Sequence, residues 1–416
     1  VKVLVLGAGV IGATTALVLA REGHAVTLVD QRPGPGLEAS YANGGQISAS
    51  HAEPWAGPAT PAKLLAWLGR DDAPLQVRWA RWDPALWAWG LRFLANCPPA
   101  RQARNLRILV GLALYSRERL AALRHALDLR YDALTTGILH IYRHRRSLEQ
   151  ARRAGEIMTA AGLDRYPVSV AEAVAREPAL ADVAPSLVGA YFSPGDESGD
   201  AHVFTGLMAE HAARHGARLL WDTAILRLER GQGAARDRIV AVHTDQARLE
   251  GDVVVLALGS SSPHLVRSLG LSLPVYPAKG YSLTLETRGY DGAPTVSIID
   301  DEHKMVFSRL GDRLRCAGTA ALEGWDTAMN PARVALTLRN ARAVFPRGGN
   351  YDDPHPWCGL RPATPGAVPL LGRAPGFDNL LLNTGHGTLG WTLACGSAQV
   401  IADLLAGREP AVPVSD

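Results

Sequence analysis

The chain has 416 residues, of which 47% are hydrophobic and 20% charged, and a net charge of +3. That length is too great for one core, so about two domains are expected, and so small a charge argues against a nucleic-acid partner. No stretch approaches the ~20 apolar residues of a membrane span, and the four cysteines form no C-x-x-C pair, so no metal site or disulfide framework is expected and a reduced, cytoplasmic setting fits.

Residues 1–6 are a β-branched apolar run of the buried parallel-strand kind. A chain that opens this way leads one to expect no signal peptide. Gly7-Ala8-Gly9-Val10-Ile11-Gly12 comes next, then a helix over 13–21 that Gly23 ends, then a strand over 25–29 closing on Asp30. Strand, G-x-G-x-x-G, helix, strand and acid together describe a dinucleotide site. Gly7 allows the tight turn, Gly9 lets a pyrophosphate approach the backbone, and Gly12 lets helix and strand pack. The helix start offers free N–H groups to phosphate. Asp30 follows Gly7 by 23 residues, near the ~20-residue spacing at which an acid meets a ribose hydroxyl.

After a loop at 31–36, residues 38–48 gather small, polar and glycine residues suited to lying along a ligand. Residues 55–93 then hold six of the ten tryptophans: Trp55, Trp67, Trp79, Trp82, Trp87 and Trp89. Two readings stand: core packing in a helical insertion, or a surface that meets a membrane interface or hydrophobic electron acceptor. Helices are expected over 101–127, 147–161 and 169–177, and strands over 137–143 and 187–192. A turn at 193–200 leads to a helix over 202–215 and strands over 218–222, 239–243 and 252–258. The last of these runs into Gly259, a second strand meeting a glycine turn. Alternation at 274–286, 294–299, 305–310 and 313–318 reads as antiparallel sheet. A helix over 331–345 follows, then the stretch Gly359-Leu360-Arg361-Pro362. A third strand and glycine turn, residues 380–391, opens a final helix to Leu405.

Three glycine turns at strand ends suggest a long ligand held at both ends, as flavin adenine dinucleotide is. The adenine half would use the first turn. The last helix start would face the negative charge that reduction places near flavin N1. The fold class expected is α/β: a Rossmann-like FAD-binding domain with a parallel sheet, formed by 1–50, 201–272 and 354–416, and a substrate domain with a largely antiparallel sheet, formed by 51–200 and 273–353.

The stretches GAGVIG, SYANGGQIS, SPGDESGD, VVVLALGS, PVYPAKGYS, GLRPATP and LNTGHGTLGWTLACGS run from Gly7 to Ser397. In them the chain resembles the bacterial D-amino acid dehydrogenase small subunits, within the D-amino acid oxidase superfamily of flavoproteins. The resemblance implies non-covalent FAD and oxidation of D-amino acids to imino acids, which hydrolyse to 2-oxo acids and ammonia. It also implies that electrons pass to a respiratory acceptor, a quinone or partner protein. It places Gly7, Gly9, Gly12 and Asp30 on the adenosine half, with Val10, Ile11, Gln31 and Arg32 beside them. Ser40, Asn43, Gly44, Gly45 and Gln46 fall along the flavin, and Ala257, Leu258 and Gly259 near the pyrophosphate. Gly385, His386, Gly387, Thr388, Leu389 and Gly390 fall at the pyrimidine edge. Arg361 falls where the superfamily holds the substrate carboxylate, next to the cofactor. A planar guanidinium suits that role because it grips a carboxylate with two parallel bonds.

Tyr281 and Arg309 are further candidates for the same pocket. His303 stands where related members often carry a tyrosine, a departure that bears on side-chain preference. His51 and His386 are candidate bases or packing residues. In the reaction expected, Arg361 anchors the carboxylate and the neutral amine pushes the α-hydrogen to flavin N5 as hydride. No side-chain base is required if the amine arrives deprotonated. The rival readings are a glycine or sarcosine oxidase, a D-proline or hydroxyproline dehydrogenase, and a non-catalytic flavin-binding subunit. Peripheral attachment to the inner face of the inner membrane goes with the surface reading of the tryptophans.

Overall fold

The computed structural model describes residues 1–67, 69–70, 73–78 and 82–412. Strand Lys2–Leu6 lies near the middle of a six-stranded sheet, in the order Leu370–Arg373, Leu380–Thr384, Val253–Leu256, Lys2–Leu6, Ala25–Val29, Arg218–Leu220. All pairs are parallel except the one at the Leu370–Arg373 edge. Both faces are covered, which is why the strand is apolar at every position after Lys2. Val3 and Val5 join the core under helices Val10–Arg21, Ala201–Arg214 and Gly390–Leu405. Leu4 and Leu6 face the other way, against Leu228, Ile239 and Val242 of a small antiparallel sheet. That sheet is Ile225–Arg230, Ile239–Thr244 and Arg248–Leu249. Its first strand is absent from the expected elements because Leu228 is its one fully buried residue, so no strong apolar alternation marks it.

The larger sheet has nine strands. Eight run in the order His355–Ala363, Tyr276–Glu286, Arg313–Leu322, Met305–Leu310, Ser297–Asp300, Ile138–Tyr142, Gly189–Ser193, Tyr166–Val168, and Leu75–Val77 pairs with Arg313–Leu322. It is antiparallel except where Ser297–Asp300 meets Ile138–Tyr142 and where Leu75–Val77 joins. The α/β class with one parallel-rich and one antiparallel-rich sheet is therefore as expected. Strand His355–Ala363, which carries Arg361, lies in the larger sheet along Tyr276–Glu286, although the expected division puts residues 354–416 with the nucleotide-binding part.

The 55–93 stretch contains helix Thr60–Trp67, strand Leu75–Val77 and helix Pro84–Ala95. Asp83 caps the last of these, accepting from the amides of Ala85 and Leu86. Its tryptophans divide. Trp89 is buried and donates to the Ala363 carbonyl at 2.9 Å. Trp55 and Trp67 are half-buried. Trp82 and Trp87 are 84% and 43% exposed. Trp79 lies outside the described residues. The long helix Pro99–Leu127 crosses Gly390–Leu405 closely, with Ser116 Oγ accepting from the Gly396 amide at 3.0 Å.

Candidate active site

A cavity of about 1260 Å³ runs between the two sheets. It exceeds the ~300–1,000 Å³ of an ordinary small-molecule pocket. At one end lies the Gly7–Gly12 turn. A side chain at Gly12 would strike the Gly7 carbonyl at 1.8 Å, so helix and strand pack as the glycine pattern requires. At Gly9 a side chain would meet little of the protein, the nearest atom being Ser40 Oγ at 3.5 Å. Ser40 Oγ accepts from the Val10 amide at 3.0 Å, so it serves the nucleotide turn and not the far end where it was expected. Asp30 holds the turn from below, accepting from the amides of Ala8 at 2.6 Å and Arg32 at 2.9 Å. Burial raises its carboxyl even so.

Residues 42–46 lie flat against the larger sheet because three successive carbonyls are tied to it. Ser282 Oγ donates to Ala42 O at 2.6 Å, Arg315 Nη1 to Asn43 O at 2.8 Å, and Ser308 Oγ to Gly44 O at 2.8 Å. A side chain at Gly44 would come within 2.6 Å of Val306. Gln46 Nε2 is spent on Ser297 Oγ, leaving Oε1 buried with no partner among the described residues. Opposite, strand Leu380–Thr384 ends in Gly385, at φ +78°, and Gly387, at φ +55°. Helix Gly390–Leu405 starts there with no side-chain cap, so its first amides have no intrahelical acceptor. Ala257, Leu258 and Gly259 close the wall between the two turns.

Arg361 enters from the larger sheet. Its guanidinium lies across Gly280, where a side chain would meet Cζ at 2.3 Å. Nη1 donates to the Thr319 carbonyl at 3.1 Å, and no carboxylate of the described residues pairs with it. Burial brings the guanidinium down to about 10, so it stays charged at neutral pH. Thr319 itself is a bulge. Gly280 pairs with Ala320 and Tyr281 with Gly318, leaving Thr319 unpaired at φ +53°. A β-branched residue there costs ~1–3 kcal/mol, and its result is a carbonyl turned toward the Arg361 fork. Tyr281 meets the cavity wall through its backbone, but its side chain lies on the face opposite Gly280 and Ser282, where burial followed by the Glu323 charge pushes its hydroxyl up to about 12. That hydroxyl makes no hydrogen bond of good geometry, although the Asn330 amide lies near it.

Of the expected site residues, the cavity gathers Gly7, Gly9, Val10, Ile11, Asp30, Gln31, Arg32, Ser40, Asn43, Gly44, Gly45, Gln46, Ala257, Leu258, Gly259, Tyr281, Arg361, His386, Gly387, Thr388, Leu389 and Gly390. Gly12 and Gly385 sit behind the wall and shape the turns. Arg309 is not brought in. Val306 and Ser308 face the 42–46 segment, so the pleat sends Arg309 to the opposite face, where Nε donates to the Gly311 carbonyl at 3.2 Å. His303 also stays outside, its Nδ1 2.9 Å from Asp300 Oδ2. His51 stands in the wall with its ring 6.1 Å from that of His140. Enclosure by the protein lowers it to about 4, with the Lys304 charge adding to that. His386 is buried, its Nε2 3.0 Å from Ser397 Oγ, and burial lowers it to about 3. Neither is a strong base. The expected list lacks Gly280, Thr319 and His140; of these only Gly280 carries a sequence signal, a glycine inside a strand pattern.

The model of a family described as FAD dependent oxidoreductase matches residues 2–404. The chain belongs to this family. Curated relatives include a D-amino acid dehydrogenase of Paramagnetospirillum magneticum, 54% identical over 99% of this chain and 96% of that one. Another, of Dechloromonas aromatica, is 51% identical over 98% of both. A solved glycine oxidase from Geobacillus kaustophilus superposes with a TM-score of 0.76 at 22% identity, covering 99% of this chain and 96% of that one, which speaks for the fold. FAD is the cofactor of the family, and this cavity fits it. The open flank of Gly9, the uncapped helix start at Gly390 and the orphaned Gln46 Oε1 are protein features left for a ligand with phosphates and polar ring edges.

Proposed function

We propose that this chain is a D-amino acid dehydrogenase, oxidising its substrate to an imino acid that hydrolyses to a 2-oxo acid and ammonia. The observation that carries the reading is Arg361: a half-buried guanidinium in the cavity wall whose one acceptor among the described residues is a backbone carbonyl. A carboxylate entering the cavity finds two parallel donors there, and its α-carbon is fixed by them. Tyr281, on the strand paired with that of Arg361, points to the opposite face and keeps its hydroxyl buried, so its part is to support the wall from behind. Bound FAD supplies the two-electron acceptor for the hydride leaving the α-carbon. Gly7, Gly9, Val10, Ile11, Gly12, Asp30, Gln31 and Arg32 would hold its adenosine half without a covalent link. Ala257, Leu258 and Gly259 would lie by the pyrophosphate. Residues 43–46 and 385–390 would flank the flavin, and Ser40 would stand by the nucleotide turn.

The same reading divides the chain into an FAD-binding part, 1–50, 201–272 and 354–416, and a substrate part, 51–200 and 273–353, with strand His355–Ala363 joined by pairing to the latter's sheet. The test is direct. Purified protein should be yellow, release intact FAD on acid denaturation, and bleach anaerobically with D-amino acids more readily than with glycine or prolines. Peroxide release in air would mark an oxidase instead, and a flavin that no amino acid bleaches would mark a non-catalytic subunit.

A second feature supports hand-over of electrons at a hydrophobic surface. Helix Pro84–Ala95 is apolar on both sides: Leu86, Trp89 and Phe93 are buried, while Trp87, Leu91 and Leu94 form an outward stripe. Leu65 of the neighbouring helix is exposed as well. Phe93 and Trp67 of these helices line the cavity. No helix of the described residues is long and apolar enough to cross a membrane. The stripe suits peripheral contact with the inner face of a membrane, or with a respiratory partner, beside the cavity mouth.

A further inference from the structure

His140 lies in the cavity wall, yet the chemistry described so far makes no use of it. Its side chain is buried, and Nε2 sits 2.6 Å from Ser50 Oγ. Ser50 Oγ is 3.1 Å from Ser48 Oγ, and Ser48 Oγ donates to Asp196 Oδ2 at 2.9 Å. Asp196 also accepts from the Ala49 and Ser50 amides, both at 3.1 Å, and from Arg117 Nη1 at 3.3 Å. Its far side belongs to a separate surface cleft, shared with Arg117, Arg124 and Glu197. The chain of four groups therefore starts in the cavity and ends on a buried carboxylate beneath another opening.

Its direction follows from counting hydrogens. A carboxylate held by the Ser48 hydroxyl, two backbone amides and a guanidinium, with the Ser50 hydroxyl also beside it, accepts. Ser48 has one hydroxyl proton and gives it to Asp196, so it accepts from Ser50. The single proton of Ser50 is then spent, so His140 donates from Nε2. Burial holds His140 well below the ordinary imidazole value, so the ring is neutral and Nδ1 keeps a free lone pair.

We propose that His140, Ser50, Ser48 and Asp196 form a proton relay that carries the ammonium proton of a bound amino acid from the cavity to the cleft at Asp196. The proposal rests on the amino-acid reading of the site. An N–H bond of the ammonium breaks and its proton joins His140 Nδ1. The Nε2 proton passes to Ser50 Oγ, the Ser50 proton to Ser48 Oγ, and the Ser48 proton to Asp196 Oδ2. One proton enters, one rests on Asp196, both hydroxyls are restored, and no electrons move. The neutral amine that results is the form able to push a hydride off the α-carbon.

The surrounding charges favour this direction. At the inner end His140 feels Arg165, Lys304 (itself paired with Asp301) and the neutral His51, and Arg361 acts on His51 in turn. Positive charge is disfavoured there. At the outer end Arg117 is paired with Asp196, and Arg124 with Glu197. Burial raises the Asp196 carboxyl, which makes it the better seat for a proton. A merely structural Asp196 would cap the 49–51 turn through its two backbone contacts and would need neither serine hydroxyl in line with His140.

Two measurements decide it. Nitrogen NMR of histidine-labelled holoenzyme, with His140→Gln for assignment, should show His140 neutral and protonated at Nε2 around neutral pH. A ring protonated at Nδ1 would reverse the chain and overturn the relay, whatever the activity. Anaerobic stopped-flow bleaching by a D-amino acid should fall roughly tenfold or more in Ser50→Ala at neutral pH. The loss should fade as the pH rises toward the amine's own pKa, and Ser50→Thr should restore the rate. A ratio of Ser50→Ala to wild type that is constant with pH sinks the relay while leaving the amino-acid reading intact. Wild-type flavin that no amino acid bleaches overturns both.

Discussion

Arg361, half-buried, and His386, buried, stand in the same wall, and desolvation acts on them with different consequences. For Arg361 it weakens the charge without removing it, and it strips away the water that would compete for a substrate carboxylate. Arg361→Ala should leave FAD bound but raise the half-saturating substrate concentration. A buried bidentate contact is worth roughly 2–5 kcal/mol, which is about thirty-fold to several thousand-fold. Arg361→Lys should recover only part, since an ammonium lacks the fork. If the change instead lowers flavin content at unaltered substrate affinity, Arg361 is only structural. For His386, burial excludes the charged form. Its folded value, about 3, is below the ordinary ~6.5 of the unfolded chain. Below pH ~6.5 the unfolded chain takes up a proton that the folded protein refuses, so stability falls with pH down to about 3 and is flat above. Each pH unit in that window costs about 1.4 kcal/mol per such histidine. His386→Gln should therefore lose about 2 kcal/mol less than wild type between pH 7 and 5, measured by urea unfolding. Equal losses would show that His386 titrates normally.

Strand Tyr276–Glu286 links a glycine to the position of a charge on its neighbour. Arg361 pairs with Ala278 across the strands, and its side chain then folds over Gly280. Thr319 completes the arrangement from the other side by leaving the ladder. Gly280→Ala should behave as a milder Arg361→Ala: FAD retained, half-saturating substrate raised by roughly tenfold or more, because a displacement of about 1 Å at a positioning group has costs of that order or larger. Equal substrate affinity in Gly280→Ala would show that the guanidinium has room to move aside. Pleat alternation explains why the Arg309 and Tyr281 side chains are not brought into the cavity. Arg309 is one residue from Ser308, and one residue is the difference between the cavity and the opposite face.

Across the whole molecule the cavity joins two sheets, and a segment rich in exposed apolar side chains stands beside it. Trp87 and Leu91, at 43% and 70% exposure, are on the outward stripe of Pro84–Ala95. Trp87→Ser with Leu91→Ser should leave bleaching by amino acid unchanged but weaken binding to anionic vesicles, read by co-sedimentation, by roughly a hundredfold or more, since the two large side chains together contribute about 3–6 kcal/mol when buried. Unaltered sedimentation, or none in the wild type, would dismiss the membrane reading and leave the stripe for a partner protein.

The parallel sheet, its glycine turn and Asp30 were legible in the first thirty residues, because local spacing there dictates both the strand–helix pairing and the phosphate cradle. The antiparallel sheet could be read as strands but not as an order: nothing local tells Ile138–Tyr142 to run parallel to Ser297–Asp300. The tryptophans of 55–93 were ambiguous for the same reason, since the helix carrying Trp87 and Trp89 is apolar all round and only packing selects which one meets the core. Arg361 could be picked out by its motif, but its bed on Gly280 and its bond to Thr319 come from segments about forty to eighty residues away along the chain, brought together only by strand pairing. His140, Ser50, Ser48 and Asp196 are spread over well over a hundred residues. Nothing in their sequence spacing joins them, and hydrogen bonds short enough to pass a proton exist only after tertiary folding has closed those distances.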